Sequence, residues 1–194
     1  MSLRSLKTLL AGLSLLASTS LFAAPLVVNI AGVESHGEFG DPGNTVWTYD
    51  VGANSTITSV SYSFNVTAYY PSWLSEIGLA FTNSKASEGV LLTPGVLDWY
   101  SGTATYSDEI DLREYDLAFK VGNDGILRLE FYEDWDDFAG VDGVWNFGTI
   151  TFGIEPEAAA VPEPMSALLF GAGAIMMGHA ARRRAAGRPA VRAA

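Results

Sequence analysis

The 194-residue chain contains no cysteine, so disulfides, thiolate metal ligands and cysteine nucleophiles are excluded. Histidine is almost as scarce, because His36 is the single histidine before residue 160. No Gly-x-Ser-x-Gly elbow accompanies it. A hydrolase built on a serine and histidine triad is therefore not predicted, and a secreted hydrolase of any class is the weakest of the functions that we consider.

Basic side chains are rare outside the two ends of the chain. From Glu34 to Glu163 there are 22 acidic side chains against four basic ones, a formal net charge of −18; the basic residues are Lys85, Arg113, Lys120 and Arg128. A body with this charge repels phosphate backbones. The composition therefore argues against a nucleic-acid partner.

Residues 1–23 have the features of a secretory signal peptide. Arg4 and Lys7 precede an apolar run over residues 9–22, and small residues follow it at Ala23 and Ala24. We predict cleavage after Ala23, since cleavage one residue later would place a proline next to the scissile bond. An amphipathic helix of the mature fold is the alternative, but the run is apolar on all faces. Export through the Sec translocon is the expectation.

A second apolar segment, residues 165–181, lacks Asp, Glu, Lys and Arg. At a rise of 1.5 Å per residue it would span about 25 Å, slightly less than a hydrocarbon core of about 30 Å, and a thinner bilayer accommodates the difference. Arg182, Arg183 and Arg184 follow directly. The positive-inside rule then predicts a transmembrane helix with the basic tail, residues 182–194, in the cytoplasm.

The linker before this segment, residues 156–164, ends in the tetrapeptide Val161-Pro162-Glu163-Pro164. Its two prolines disfavour a helix and keep the stretch extended just outside the membrane. The order of Pro-Glu-Pro, apolar span and Arg cluster, behind an N-terminal signal peptide, resembles the PEP-CTERM sorting signal of Gram-negative bacteria over about residues 161–188. A plain single-span anchor with a proline-rich stalk is the alternative.

The resemblance implies a partner and a destination. The partner is an exosortase, a membrane-embedded cysteine protease-transpeptidase, which would recognise the Pro162-Glu163-Pro164 motif and remove the span and the Arg tail. The genomic setting of such proteins implies exopolysaccharide and biofilm-matrix systems. The implied route is a single-pass inner-membrane intermediate, followed by the cell surface or the extracellular matrix.

Residues 24–155 predict an all-β domain. Strict alternation over residues 57–69 places Val60, Tyr62 and Phe64 on one face of a long strand and polar residues on the other. Further strands are predicted at 27–31, 46–51, 77–82, 90–92, 101–106, 117–121, 127–132 and 145–154. About eight strands separated by Gly, Pro and Asn turns indicate an antiparallel β-sandwich or jelly roll, flanked by the signal helix and the transmembrane helix.

Two finer features of these strands are also predicted. In the last strand the apolar phase slips at Gly148-Thr149, which indicates a β-bulge there and places Trp145 and Phe147 in phase on the core side. The acidic run over residues 108–116 is interpreted as a solvated connection.

The strand plan over about residues 45–154 is similar to the P domain of subtilisin-like proprotein convertases. The similarity rests on residues 57–79, the Asn123-Asp124-Gly125 turn with the strand after it, and Gly143-Val144-Trp145. It implies a jelly roll and a non-catalytic module. The His-Thr-Tyr cue of that family is replaced here by Ala68-Tyr69-Tyr70.

The densest acidic patch, residues 133–142, is one candidate binding site. Crowded carboxylates suit Ca²⁺, which takes six to eight oxygen ligands, and the candidate ligands are Asp134, Asp136, Asp137 and Asp142. The spacing does not match an EF-hand. A solvated acidic loop without a metal is the favoured alternative, and no other cofactor is indicated.

Loop aromatics are the second candidate site. Tyr69, Tyr70 and Trp73 lie in one predicted loop, and Trp99 and Tyr100 lie in another. Aromatic rings beside polar groups stack on the apolar faces of sugars. Rings that close the ends of the sandwich core are the alternative interpretation.

Together these observations predict an exported, non-enzymatic protein of the cell surface or the exopolysaccharide matrix. A carbohydrate-binding module of the same matrix is the alternative function. The difference between them depends on whether the loop aromatics are exposed.

Overall fold

The computed structural model describes residues 24–136 and 139–158. The predicted signal peptide, the Pro-Glu-Pro motif, the apolar span, the basic tail and Asp137 lie outside the described residues. Ten strands and one turn of 3₁₀ helix (Leu112–Tyr115) occur in them. The strands are β1 (Leu26–Asn29), β2 (Val33–Ser35), β3 (Thr45–Asp50), β4 (Thr56–Ala68), β5 (Ile77–Asn83), β6 (Gly89–Leu92), β7 (Gly102–Asp111), β8 (Phe119–Lys120), β9 (Ile126–Glu133) and β10 (Gly143–Glu155).

The strands form two antiparallel sheets. The first has the order β1-β10-β4-β7, with the short β2 also paired to β10 and the short β8 also paired to β4. The second has the order β3-β9-β5-β6. Most connections pass from one sheet to the other, which is the strand order of a jelly roll. The predicted all-β class and antiparallel architecture are confirmed.

The core between the sheets follows the period-two pattern of the strands. In β4, Val60, Phe64 and Val66 are buried on the inner face, while the residues between them are more exposed. Trp145 of β10 packs against Phe64 and Phe131, with ring centroids 4.7 and 5.4 Å apart. These edge-to-face contacts join the two sheets at the centre of the core.

The predicted bulge in the last strand was wrong in position. The register between β10 and β4 shifts between Trp145 and Phe147, and again between Gly153 and Ile154. Trp145 is buried as predicted, but the extra residue turns Phe147 outward, so that its side chain is 60% exposed. Gly148 then lies over the backbone of Ser63 and Phe64 with a φ of +140°.

Strand boundaries also differ from prediction at three places. β7 continues through Asp108 to Asp111, so the first part of the acidic run is strand, because it pairs with Ser59 to Tyr62 of β4. Only Phe119 and Lys120 of the predicted strand at 117–121 pair. The strand β2, which pairs with residues 143–145, was not predicted.

The loop between β2 and β3 covers part of the outer face of the second sheet. Glu130 and Tyr132, which alternate with the core residues of β9, are buried beneath this loop. Tyr132 packs on Gly78 of β5, where a Cβ atom would collide with its ring. No helix in the described part of the chain has the length and apolarity needed to span a membrane.

Candidate ligand-binding end of the sandwich

Three loops and the segment after β2 meet at one end of the sandwich. The Ser101 hydroxyl donates to the Ser72 carbonyl at 2.7 Å, which joins the β6–β7 loop to the β4–β5 loop. The Asp134 amide donates to the Glu76 carbonyl at 2.9 Å, which joins the β9–β10 loop to the β4–β5 loop. The Glu133 amide donates to the Gly37 carbonyl at 2.9 Å. These hydrogen bonds hold the loops as one surface.

An open cleft of about 380 Å³ lies between the β4–β5 and β9–β10 loops. Its lining residues are Tyr70, Pro71, Trp73, Glu76 and Trp135, and we call it the aromatic cleft. Tyr70 is 88% exposed, Trp73 43% and Trp135 65%. The Trp73 amide donates to Glu76 Oε2 at 2.7 Å, which fixes that carboxylate beside the rings. The cleft therefore presents three aromatic rings and one carboxylate to solvent.

The other predicted aromatics lie on the same end but outside the cleft. Tyr69 follows β4 directly, and its amide donates to the Asp142 carbonyl at 2.8 Å. Trp99 and Tyr100 lie in the β6–β7 loop, where the Trp99 indole donates to the Val96 carbonyl at 3.3 Å. All three are exposed. The predicted aromatics are thus surface groups and do not close the core, and two of them, Tyr70 and Trp73, line one cleft.

Two cleft residues were missed by the sequence analysis. Trp135 lies within the acidic run and was grouped with the carboxylates around it. Glu76 has no pattern that marks it, because its place beside Trp73 depends on a turn. An aromatic residue flanked by exposed acidic residues in a loop was the available signal for Trp135.

The predicted calcium ligands separate into two groups. Asp134 and Asp136 are exposed, whereas Asp142 is buried. Burial raises the pKa of the Asp134 carboxyl, and the negative charge of Glu38 raises it further. Within residues 24–136 and 139–158, no three His, Asp or Glu side chains gather as a metal-binding group. Asp142 instead meets a residue that was not in the predicted set, Glu133.

Glu133 and Asp142 form a buried carboxyl pair. Glu133 is 0% exposed and Asp142 is 1% exposed. Burial raises the pKa of Glu133 to about 9, and the carboxylates of Asp142 and Glu76 add to this, while the Ser72 hydroxyl opposes it. Burial also raises the pKa of Asp142, and Asp136 contributes in the same direction. Two carboxyls that are buried next to each other do not both ionise unless a cation compensates their negative charge.

Other polar side chains at this end, among the residues that the structure describes, have partners within the protein. His36 Nδ1 lies 3.0 Å from the Gly140 carbonyl, and its Nε2 lies 3.5 Å from a Glu34 carboxylate oxygen. The Ser35 hydroxyl accepts from the Trp145 indole at 3.1 Å within the core. The buried carboxyl pair has no solvent access through which a substrate would reach it. The arrangement suits ligand binding at the surface.

Comparison with known proteins identifies no family. No protein-family model and no curated protein sequence matches the chain. In structure it is similar to the infectious bursal disease virus VP2 subviral particle, with a TM-score of 0.32 and 10% identity over 77% of this chain and 37% of the VP2 chain. The chain thus spans well under half of the VP2 length.

Two further solved structures give similar values. The Penaeus vannamei nodavirus P-domain has a TM-score of 0.26 and 11% identity over 66% of this chain and 94% of its own. The Tobacco streak virus coat protein dimer has a TM-score of 0.28 and 10% identity over 73% and 93%. The strand order, and not these distant likenesses, defines the fold described above.

Proposed function

We propose that the chain is an exported, non-enzymatic protein of the cell surface or extracellular matrix, and that its sandwich domain binds polysaccharide through the aromatic cleft. The observation that carries the binding role is the cleft itself, in which Tyr70, Trp73 and Trp135 are exposed around Glu76. This proposal combines the two functions predicted from the sequence, because a matrix protein that binds polysaccharide is also a carbohydrate-binding module.

The chemistry of the cleft suits sugars. The apolar face of a pyranose ring packs on an aromatic ring, and a carboxylate accepts hydrogen bonds from its hydroxyls. The hydrogen bonds between the loops hold the loop backbones that carry the rings in place before a ligand arrives, which lowers the entropic cost of binding. Because the domain is strongly acidic, we expect neutral glycans to bind better than acidic ones.

A binding role is also supported by the state of the acidic groups. Glycosidases place two carboxyls on opposite sides of a scissile bond in an accessible site. Here the pair with perturbed pKa values, Glu133 and Asp142, is enclosed by protein. The half-buried carboxylate Glu76 accepts a hydrogen bond from the Trp73 amide.

Glycan binding is tested by calorimetric titration and tryptophan fluorescence with a panel of neutral and acidic polysaccharides. We expect Trp135→Ala and Trp73→Ala each to weaken binding by about threefold to tenfold, the worth of one stacked ring. Tyr115→Ala, which removes an exposed ring from the 3₁₀ turn, is the matched control. Flat titrations for the whole panel, or equal losses in the control, contradict the cleft as a binding site.

Sorting by an exosortase is the second part of the proposal, and it is supported by the sequence alone. The tetrapeptide Val161-Pro162-Glu163-Pro164, the apolar span and the Arg cluster lie in the order of a PEP-CTERM signal. The inner-membrane form would then be an intermediate on the way to the surface or matrix.

The sorting route is tested by the intact mass of the protein recovered from membrane and released fractions of its native cells. We expect a chain that ends between Val161 and Pro164, alone or with an attached remnant. Pro162→Ala with Pro164→Ala should abolish this processing. A chain from Ala24 to Ala194 found only in membranes would mean a permanent single-span anchor.

A further inference from the structure

The carboxyl pair of Glu133 and Asp142 has more acceptor atoms than the protein has donors. Neither carboxylate oxygen of Glu133, and not Oδ2 of Asp142, has a donor with good hydrogen-bond geometry, although the Ser72 hydroxyl and the Asp142 carboxyl lie beside the Glu133 carboxyl. The Ser72 hydroxyl donates to Asp142 Oδ1 at 3.4 Å, and it also lies beside the Glu133 carboxyl. It adds an uncharged oxygen atom to the oxygens of the two carboxyls. Both carboxyls are almost fully enclosed, so bulk water does not supply the missing donors. Unpaired buried acceptors of this kind are strongly destabilising.

No basic side chain of the described residues compensates the pair. Arg113 is bound to Asp111, Arg128 to Glu130, and Lys120 lies 3.9 Å from Glu157. Lys85 follows β5 at the opposite end of the sandwich. The charged groups around the pair are mainly acidic, namely Glu76 and Asp136, and His36 is the one neighbour that gains positive charge at low pH.

A single shared proton is a poor solution for this geometry. One proton shared between the carboxyls engages two oxygens, one as donor and one as acceptor, so one of the three unpaired oxygens still lacks a partner. A hard divalent cation accepts several carboxylate oxygens at once and also takes neutral hydroxyl and carbonyl oxygens. Carboxylates that bind through both oxygens suit Ca²⁺ better than Mg²⁺, because Mg²⁺ demands near-ideal octahedral geometry and keeps its water.

We infer that the Glu133 and Asp142 carboxylates, with the Ser72 hydroxyl, form a Ca²⁺ site that ties the β9–β10 loop to the β4–β5 loop. The site differs from the ligand set predicted from sequence, because Asp134 and Asp136 are exposed and Glu133 replaces them. It is close to the aromatic cleft along the chain, since Trp73 follows Ser72 and Trp135 lies two residues beyond Glu133. The inference does not require that the cleft binds glycan.

Direct binding is measured with the full chain in detergent by titration with CaCl₂ and by indole-sensitised emission of Tb³⁺, which occupies oxygen-rich Ca²⁺ sites. We expect one ion per chain, with a Kd in the range of about 10⁻⁴–10⁻³ M typical of extracellular modules. We also expect Ca²⁺ to displace Tb³⁺ and quench its emission. Absence of both saturable Ca²⁺ binding and Tb³⁺ emission overturns the inference without touching the glycan proposal.

Stability gives the second readout. At a Ca²⁺ concentration of about 100 times Kd, we expect the melting temperature to exceed that in EGTA by roughly 5–10 °C. Glu133→Gln and Asp142→Asn should each lose this shift and weaken Ca²⁺ binding at least tenfold. Asp134→Asn and Asp136→Asn, which change exposed carboxylates of the same loop, are the matched controls and should keep both.

The competing arrangement, a proton shared between the carboxyls, has a different signature. A carboxyl whose pKa is raised on folding contributes stability below its unfolded pKa of about 4.5 and loses it as the pH rises toward 9. Under that arrangement the melting temperature falls from pH 5 to pH 9 equally in Ca²⁺ and in EGTA. Such equal curves overturn the Ca²⁺ site, and a fall confined to EGTA supports it.

Discussion

At the residue scale, the β2–β3 loop determines how Glu130 behaves. Glu130 Oε1 accepts from the Gly40 amide at 2.6 Å and from the Asn44 side chain at 2.9 Å, and its other oxygen pairs with Arg128. Arg128 also lies over the Phe39 ring, 5.9 Å from its centroid. The loop therefore buries the Glu130 carboxylate, which β9 places on the outer face of the second sheet, and donates hydrogen bonds to it.

Glu130→Ala should destabilise the domain by about 3–5 kcal/mol, because it leaves Arg128 unpaired and removes the acceptor for two loop donors. Urea unfolding followed by tryptophan fluorescence measures this. Glu109→Ala, at an exposed position of β7, should change stability by less than about 0.5 kcal/mol. If Glu130→Ala lowered the free energy of unfolding as little as Glu109→Ala does, the buried interactions of Glu130 with the loop and with Arg128 would not contribute to stability.

Tyr106 of β7 also anchors a loop, the β6–β7 loop, through a side-chain hydrogen bond. Its hydroxyl donates to Asp98 Oδ2 at 2.6 Å. Burial raises the pKa of Tyr106 well above 10, and the hydrogen bond to Asp98 adds to this. Because the folded state holds this proton more tightly than the unfolded chain does, the associated stability is present below pH 10 and is lost as the pH rises above it.

We expect Tyr106→Phe to cost about 1 kcal/mol at pH 7 and to reduce the loss of stability between pH 9 and pH 11. Unfolding in urea at a series of pH values compares the variant with the wild type. Tyr115→Phe, at an exposed tyrosine, should follow the wild-type curve. Parallel curves for Tyr106→Phe and the wild type would contradict a role for this ionisation.

At the element scale, β10 is an inner strand of the first sheet, since it pairs with β1 and β2 along one side and with β4 along the other. The register shift after Trp145 allows this strand to bury Trp145 and still return Ile150 and Phe152 to the core. Gly148 makes the return possible, because its φ of +140° is in a region that L residues rarely adopt and its α-carbon lies against Phe64.

Gly148→Ala should therefore destabilise the domain by about 2 kcal/mol or more, through backbone strain and collision with Phe64 and Ser63. Thermal and urea unfolding measure it. Thr149→Ala, one residue further along the same strand and exposed, should cost less than about 1 kcal/mol. Equal costs for both variants would show that β10 shifts to accommodate a side chain at position 148.

At the scale of the whole molecule, acidic charge dominates. The stretch from Glu34 to Glu163 carries 22 acidic and four basic side chains, and three of those basic side chains are already paired within the domain. Unpaired negative charges on one small domain repel each other and destabilise its compact state, and salt screens this repulsion.

We expect the melting temperature in EGTA to rise by a few degrees when NaCl increases from about 0.01 M to about 0.1 M, as the Debye length falls from about 30 Å to about 10 Å. Scanning calorimetry or circular dichroism measures it. An equal rise in tetramethylammonium chloride shows that ionic strength, and not bound Na⁺, is responsible. A melting temperature independent of salt would contradict net repulsion as a destabilising term.

Most of the strands were predictable, because alternation of apolar and polar residues is a local property. β4 and β9 follow it closely, and their inner residues are buried as expected. The exceptions arise where distant segments intervene. Phe147 is exposed because a bulge shifts its phase, and Glu130 is buried because a loop from another part of the chain covers it.

The candidate site was predictable in part. Tyr70 and Trp73 are exposed aromatics in the loop where the sequence placed them, and Asp142, one of the four predicted calcium ligands, is buried. Their partners were not predictable. Trp135 is more than 60 residues from Trp73 along the chain, and Glu133 is paired with Asp142 because the β9–β10 loop turns back onto the end of the core.

The amino-acid sequence by itself determined that this domain is all-β, that it lacks cysteine chemistry and that it is strongly acidic, because these depend on composition and on the two-residue period of a strand. The export and sorting signals are predictions from the sequence alone. Only the tertiary structure decided which loops meet, since the jelly-roll strand order brings the β4–β5, β6–β7 and β9–β10 loops to one end. That order creates both the aromatic cleft and the buried carboxyl pair at this end of the sandwich.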